Sequence, residues 1–508
     1  MEARGISRIL AAGVVLAALC LPAVARAKDG VAVIVRPTSA AVFSDPAAAH
    51  GLLIAGEGAT VGRRTALASL LSGEVANAVV NGGLPGGKPR ISLSREPGAI
   101  TFYLALPPPG RHHNVVRYPI AVVGPGYHGL LTSASTHLTG LIPVSDVAPS
   151  VLALDQGQRP RIRSRASSAP LAYLRDFDRR LTQAHDSRTG GLLVLVGLIV
   201  ALGLAALATR SPALGRAAFL AAPSCLVVSL LLSAFGVTAA RDVVVALALG
   251  AAGLALAGGL LLRPRLPLAL GLVSVFVFLF AALWAEPRWN SLAALGARPD
   301  GGGRFYGINN QVSTLLLSPA LVLGALAGPR ALPAVALAVA AGLGVSSIGA
   351  NGGDMVAYLA GFLALALLQR SPRPGPLRVG VAAAVVVAAA FALIGIDAAL
   401  GGSSHVTHAV GGGPGSLLGD FGHRLHLSAA FIASGWNEAL LFALSVAALV
   451  WLALRRPRLA VLDALLVALA VSLLVNDTPT DIAGLGALSG LVLWAWLGRS
   501  GERLEPLD

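Results

Sequence analysis

Residues 301–326 read GGGRFYGINNQVSTLLLSPALVLGAL, a glycine-rich polar stretch that runs directly into an apolar one. Gly301 to Gln311 sets Arg304, Tyr306, Asn309, Asn310 and Gln311 at the mouth of a membrane helix predicted over 308–327. Polar side chains at the edge of a hydrocarbon core are costly unless they face protein or water, so they mark a candidate site. Three later stretches have the same character: Asn351 to Asp354 (NGGD), Ser404 to His408 (SHVTH) and Asn476 to Asp481 (NDTPTD).

Outward from these stretches the chain is apolar. Its mean hydropathy of +0.76, with 55% hydrophobic and only 12% charged residues, places it among polytopic membrane proteins. Runs of membrane-crossing length predict about eleven spans, near 190–208, 217–235, 243–262, 266–285, 308–327, 331–349, 354–369, 379–396, 437–454, 459–475 and 481–497. The net charge of +14 is carried largely by arginines in short loops between spans, where orientation charge accumulates. Clustered basic residues interleaved with aromatics are missing, which argues against a nucleic-acid partner. The absence of a nucleotide-binding loop argues against an ATP-driven pump in one chain.

The first residues combine Arg4 and Arg8, an apolar stretch from Ile9 to Val24, and Ala25-Arg26-Ala27. This pattern predicts a signal peptide over 1–27, with an uncleaved anchor as the alternative. Either places the following domain outside a bacterial cytoplasmic membrane. Every loop then predicted inside is basic (Arg210 and Arg216; Arg263 and Arg265; Arg330; Arg370, Arg373 and Arg378; Arg455, Arg456 and Arg458), as orientation by positive charge requires. Arg499 and Arg503 fall in a cytoplasmic tail, 499–508. In this topology all four polar stretches meet at the outer face. Cys20 leaves with the signal and Cys225 lies in an apolar span, so no disulfide or cysteine metal site is expected.

Residues 28–158 read as an extracytoplasmic α/β domain, with strands over 31–36, 102–107 and 118–124, the last expected to be a buried parallel strand. Asp146 stands where a helix N-cap is expected. Residues 159–188 read as a basic linker (RPRIRSR, 159–165) followed by an amphipathic helix carrying Leu171, Leu174, Phe177 and Leu181 on one face and a solvated charged face opposite. The membrane domain covers 189–498. Within it, 397–436 is too long for a turn, and the stretch ending at Trp436 fits an interfacial or re-entrant helix.

Two resemblances add to this reading. YPIAVVGPGYHGLLTSASTHLTGLIPVSDVAPSVL (118–152) resembles the late part of alkaline-phosphatase-superfamily domains, where a strand leads through a Ser/Thr-rich loop to an Asp-x-Ala-Pro turn. Residues 28–117 show neither the metal ligands nor the nucleophile of active members, so the resemblance implies a reduced, non-catalytic relative. His137 and Asp146 are the residues through which to test it. RFYGINNQ (304–311) resembles the RFYGIGNE-like signature of a poorly characterised family of bacterial polytopic membrane proteins, with Asn309 and Gln311 replacing a glycine and an acidic residue. That resemblance implies architecture and no activity.

The polar residues narrow the chemistry. Arg304 offers a planar donor fork suited to phosphate or carboxylate, and Tyr306, Asn309, Asn310, Gln311, Asn351, His408 and Asn476 add neutral donors and acceptors for a substrate. Asp354, Asp477 and His405 are candidates for proton transfer. His405 and His408, at i and i+3, can reach one divalent metal with the two aspartates, although no HExxH or cysteine pattern supports it. The opposite reading is that these residues cap helices and pair with one another. The expectation is an envelope enzyme acting on a lipid-linked or phosphate-bearing substrate. The alternatives are a transporter or flippase for an envelope precursor, and a non-catalytic scaffold. Membrane lipid is a partner in each.

Overall fold

A computed structural model describes residues 28–75, 84–85, 87–263, 265–301, 303–371, 375–399, 422, 425–456, 458–499, 502–504 and 506. The expected leader and the SHVTH stretch with His405 and His408 lie outside these residues. The chain is mostly helical, with an α/β region at its N-terminal end.

That region is built on a mixed sheet. Its strands are β1 (Lys28–Val35), β2 (Ala49–Ile54), β4 (Gly98–Leu104), β6 (Tyr118–Val123), β7 (Gly129–Ser133), β8 (Leu141–Pro143) and β9 (Ile162–Arg165), while β3 (Thr60–Gly62) and β5 (Arg111–His113) form a separate ladder. The sheet runs β1-β4-β6-β2-β7-β9, with β8 beside β2. The sheet differs from expectation at two strands. β6 is antiparallel to both neighbours, Phe102 facing Val122 and Gly51 facing Ile120, so its apolar run and closing glycine mark a central strand and carry no direction. The basic stretch 159–165 contains β9, which pairs antiparallel with β7. Its arginines suit an edge strand, where charge prevents unwanted pairing.

Helices α1 (Arg63–Ser72) and α2 (Val147–Asp155) cover the sheet, closing a core that includes Val33, Leu53, Phe102, Ile120, Leu131, Val147 and Val151. Asp146 holds the N-cap position of α2, but its side chain does not cap. Its carboxylate, 1% exposed, instead accepts from Ser133, from Ser135 at 2.8 Å and from Arg161 at 3.4 Å, which ties the Ser/Thr-rich loop to β9.

The amphipathic segment is the first part of α3 (Pro170–Thr209), one helix of 40 residues. At about 1.5 Å per residue it extends roughly 60 Å, about twice a hydrocarbon core, so its N-terminal turns stand clear as a post under the sheet. Leu181 and Phe177 pack there against Ile54, Leu138 and Leu141 of the sheet domain and Leu292 of the bundle. The expected solvated face is partly engaged. Arg117 donates to Asp178 at 2.5 Å and to Thr182 at 2.6 Å, and Arg180 to the Ser233 carbonyl at 3.3 Å.

The bundle continues with α4 (Pro212–Ala234), α5 (Ala240–Leu261), α6 (Leu266–Ala285), the short α7 (Pro287–Leu292), α8 (Asn310–Gly344), α9 (Gly352–Arg370), α10 (Pro376–Ala399), a helical segment α11 over 425–432, α12 (Trp436–Leu454), α13 (Ala460–Val475) and α14 (Pro479–Leu493). Among the described residues nine helices are long and apolar enough to cross a membrane, and α13 is a shorter apolar helix. The expected re-entrant stretch divides: α11 ends before Gly435, and Trp436 begins α12.

α8 folds back on itself. A straight helix of 35 residues would separate its ends by about 50 Å, yet the Ile308 amide donates to the Gly349 carbonyl at 2.8 Å. The reversal lies at Gly328, whose φ of 76° and ψ of 172° only glycine adopts readily, followed by Pro329, which cannot continue the hydrogen-bond ladder. The two limbs correspond in position to the spans expected over 308–327 and 331–349. α8 is the most buried helix of the bundle, whereas α10 and α12 leave most of their apolar surface open to the surroundings, as lipid-facing helices do.

Candidate functional site

The segment 293–309 joins sheet domain and bundle. The Gly58 amide donates to the Gly301 carbonyl at 2.9 Å, and Asn114 secures the facing loop through the carbonyls of Gly56 at 2.8 Å and Gly58 at 3.1 Å. Asp300 accepts from Arg188 on α3 and from His185 at 2.5 Å; the Asp300 and Arg188 side chains are 6% and 8% exposed, so the pair is desolvated. From the sheet domain, His137 lays its ring against Tyr306, with centroids 4.2 Å apart. Burial raises the pKa of the Tyr306 hydroxyl, against the pull of the Arg304 charge, and burial lowers that of His137. The resemblance marked His137; its observed neighbour is the polar stretch of the membrane domain.

Directly after this loop three helices begin at one place. Asn309 caps α8 by accepting from the Val312 amide at 2.8 Å, and Asn351 caps α9 by accepting from the Asp354 amide at 3.1 Å. α14 starts at Pro479, immediately after Asp477 and Thr478. Helix starts carry unpaired N–H groups and partial positive charge, which favour an anion nearby. The acidic side chain lodged there is Asp354, 1% exposed. One carboxylate oxygen accepts from Asn351 at 2.7 Å. The other accepts from Asn476 at 2.7 Å and Ser472 at 3.2 Å. The buried hydroxyl of Ser313 lies beside this carboxyl.

The network extends toward the surface. Asn351 also donates to the Ile308 carbonyl at 3.0 Å and to Asn310 Oδ1 at 3.2 Å. Asn310 donates in turn to Asp477 at 3.2 Å and Thr478 at 2.9 Å. Asp477 is half-buried and Asp354 fully buried, so a run of amides connects an inner carboxylate to an outer one. Amide side chains hold fixed donor and acceptor directions, which makes this a rigid frame. α11 touches it where Ser428 donates to the Asn476 carbonyl at 3.2 Å.

The remaining candidates are placed around this frame. Arg304 Nη1 donates to the carbonyls of Ile308 at 2.9 Å, Ala350 at 3.3 Å and Gly349 at 3.5 Å, binding the start of α8 to the loop before α9. Those segments nearly touch at Gly307: a Cβ there would sit 2.3 Å from the Gly349 oxygen, and its φ is +74°. Asn309 donates to the Gly296 carbonyl at 2.8 Å. Gln311 forms a second line, accepting from Arg298 at 2.8 Å and bonding Asp481. The structure therefore brings Asn310, Asn351, Asp354, Asn476 and Asp477 into one network, with Arg304 as a clasp beside it and Tyr306, Asn309 and Gln311 in separate contacts. Among the described residues no group of three or more histidine, cysteine or acidic side chains is arranged to hold a metal ion.

The sequence does not single out Ser472, Tyr358 or Asp397, and it offers Asp481 only as the end of a polar stretch. Helical spacing offers a signal for the first two: Ser472 is four residues before Asn476, and Tyr358 four after Asp354, each pair on one helix face. Tyr358 donates to the Ser313 carbonyl at 2.5 Å. Asp397, near the end of α10, accepts from the Ser346 amide at 3.0 Å and hydroxyl at 2.5 Å, a partnership that spacing does not reveal. Comparison of the chain with protein-family models, curated proteins and solved structures finds no match.

Proposed function

We propose that the chain is an envelope membrane enzyme that acts on a lipid-linked, phosphate-bearing substrate at the bundle face carrying the sheet domain. The observation that carries this reading is the network that links Asp354, in the first turn of α9, through Asn351 and Asn310 to Asp477 and Thr478, just before the start of α14. Positive helix ends favour a phosphate-bearing group, and Asp354 fixes the amide directions of Asn351 and Asn476. Asp477 carries the proton transfer, Asn310 orients both Asp477 and substrate, and Arg304 positions the two loops. A site at one end of the bundle suits an enzyme better than a transporter, whose site lies near the midplane.

In this reading the chain crosses the membrane eleven times, counting both limbs of α8 and the shorter α13. The end bearing Arg210, Arg265, Arg330, Arg370, Arg455 and Arg499 is cytoplasmic. The sheet domain, a reduced alkaline-phosphatase-like unit, is extracytoplasmic and roofs the site without catalysing.

The test uses full-length protein in sealed membrane vesicles with a polyprenyl-diphosphate-linked sugar as probe, reading loss of the head group by mass spectrometry. Right-side-out vesicles should turn over probe added outside, and Asp477→Asn should slow turnover by about 10²-fold or more, the usual contribution of a positioned acid or base. Turnover unchanged in Asp477→Asn, or confined to inverted vesicles, would overturn the assignment of residue or of face. A wild-type protein that leaves the probe unaltered would overturn the enzyme reading itself.

A further inference from the structure

The end of the bundle opposite the sheet domain carries a second polar construction, separate from the Asp354 network. The guanidinium carbon of Arg455, just after α12, lies 3.9 Å from the Trp451 ring centroid and 5.4 Å from that of Trp494. Arg499, one turn beyond Trp494, lies 5.2 Å from the same Trp494 ring. Two cations thus bracket one indole, and the two indoles meet edge to face at 5.1 Å. Both arginines are exposed, and among the described residues neither has an acidic partner. Their neighbours differ: Arg458 is paired with Asp463 at 2.9 Å, and Arg216 is buried against Glu502.

Trp494 opens a six-residue π-helical turn, Trp494–Arg499, at the end of α14. Such turns are rare and gather at functional sites. The wider turn brings Arg499 to the Trp494 face, and on the inner side Trp496 donates to Glu502 at 2.5 Å. The indole holding both arginines is therefore anchored through its own turn to the Arg216–Glu502 pair. Stacking fixes a guanidinium plane and leaves its edge N–H groups directed outward, the geometry that phosphate oxygens accept. Indole rings of this kind settle at the headgroup level of a bilayer.

We infer that Trp451, Trp494, Arg455 and Arg499 form a binding site for the phosphate of an anionic phospholipid at the membrane surface opposite the sheet domain. The indoles meet the glycerol and upper acyl region, and the two arginines take the phosphate between them. Such a lipid would clamp α12 to the end of α14 and so join the last helices of the bundle. This site stands whether or not the proposed enzymatic reading holds.

The test is native mass spectrometry of full-length, delipidated protein in detergent, titrated separately with phosphatidylglycerol, phosphatidylcholine and inorganic phosphate. Phosphatidylglycerol should saturate one site per chain at least about fivefold more tightly than phosphatidylcholine, the scale expected when basic side chains select an anionic lipid. Arg455→Gln/Arg499→Gln should remove that preference, Arg455→Lys/Arg499→Lys should weaken it because charge survives without the stacked fork, and Arg458→Gln should keep it. Equal affinity for the two lipids would overturn the inference. So would a preference lost equally in Arg458→Gln, which would mean unspecific surface charge. Inorganic phosphate that competes as well as phosphatidylglycerol would overturn the assignment to a lipid.

Discussion

Replacing Asp354 by alanine is expected to destabilise the bundle by about 3 kcal/mol, the scale of stranding buried hydrogen-bond donors. The carboxylate accepts from Asn351, Asn476 and Ser472, and each donor stranded away from water costs roughly 1–3 kcal/mol. Asn351 and Asn476 retain other acceptors, the Ile308 carbonyl and Ser472, so these costs do not simply add. Asp354→Asn should fall between wild type and alanine, since an amide can accept on one side while opposing donors on the other. Equilibrium unfolding in mixed micelles measures both variants. A loss below about 1 kcal/mol for alanine would mean that packing alone holds the three helix starts together.

The second large effect is expected at Asp300. Asp300→Ala leaves the Arg188 guanidinium buried without its carboxylate and releases His185 from the same partner. A loss of roughly 3–5 kcal/mol is expected, the scale of removing one partner from a buried ion pair. Its location distinguishes it from the first: hydrogen exchange should rise at the Gly58 amide, which bonds the Gly301 carbonyl next to Asp300. Loss of protection there, with helices α12 to α14 unaffected, is the expected pattern. A uniform loss through the bundle would show that Asp300 supports the whole membrane domain and is not a joint between its two parts.

Much of the helical framework was legible because crossing a membrane imposes a length and a composition that few other elements share. The reversal in α8 was legible too, since Gly328 and Pro329 stand between two apolar runs. The sheet was harder to read. Arg161, Arg163 and Arg165 looked like a charged linker because an edge strand tolerates charge, and β6 gave no sign of direction because a buried strand is apolar whichever way its neighbours run. At the site, the residue types were visible but their partners were not. Arg304 suggested an anion, whereas its Nη1 donates to three carbonyls of neighbouring loops. Asp300 and Arg188 are separated by 112 residues, and nothing local to either announces the other. Ser472 sat unnoticed in an apolar run because only its spacing from Asn476 makes it polar in function.

The start of α8 and the segment before α14 meet in the bundle, where Asn310 donates to Thr478 at 2.9 Å. Cysteines at these two positions, in a chain whose Cys20 and Cys225 are replaced by alanine, allow a direct measurement in native membranes. Mild oxidation should join Asn310→Cys to Thr478→Cys in most molecules within minutes, while Asn310→Cys paired with Ser211→Cys, at the opposite end of the bundle, should remain unjoined. Efficient bridging of the first pair alone is the predicted result. Failure of that pair to bridge in folded protein, or equal bridging of both pairs, would contradict the meeting of these segments and the site built on it.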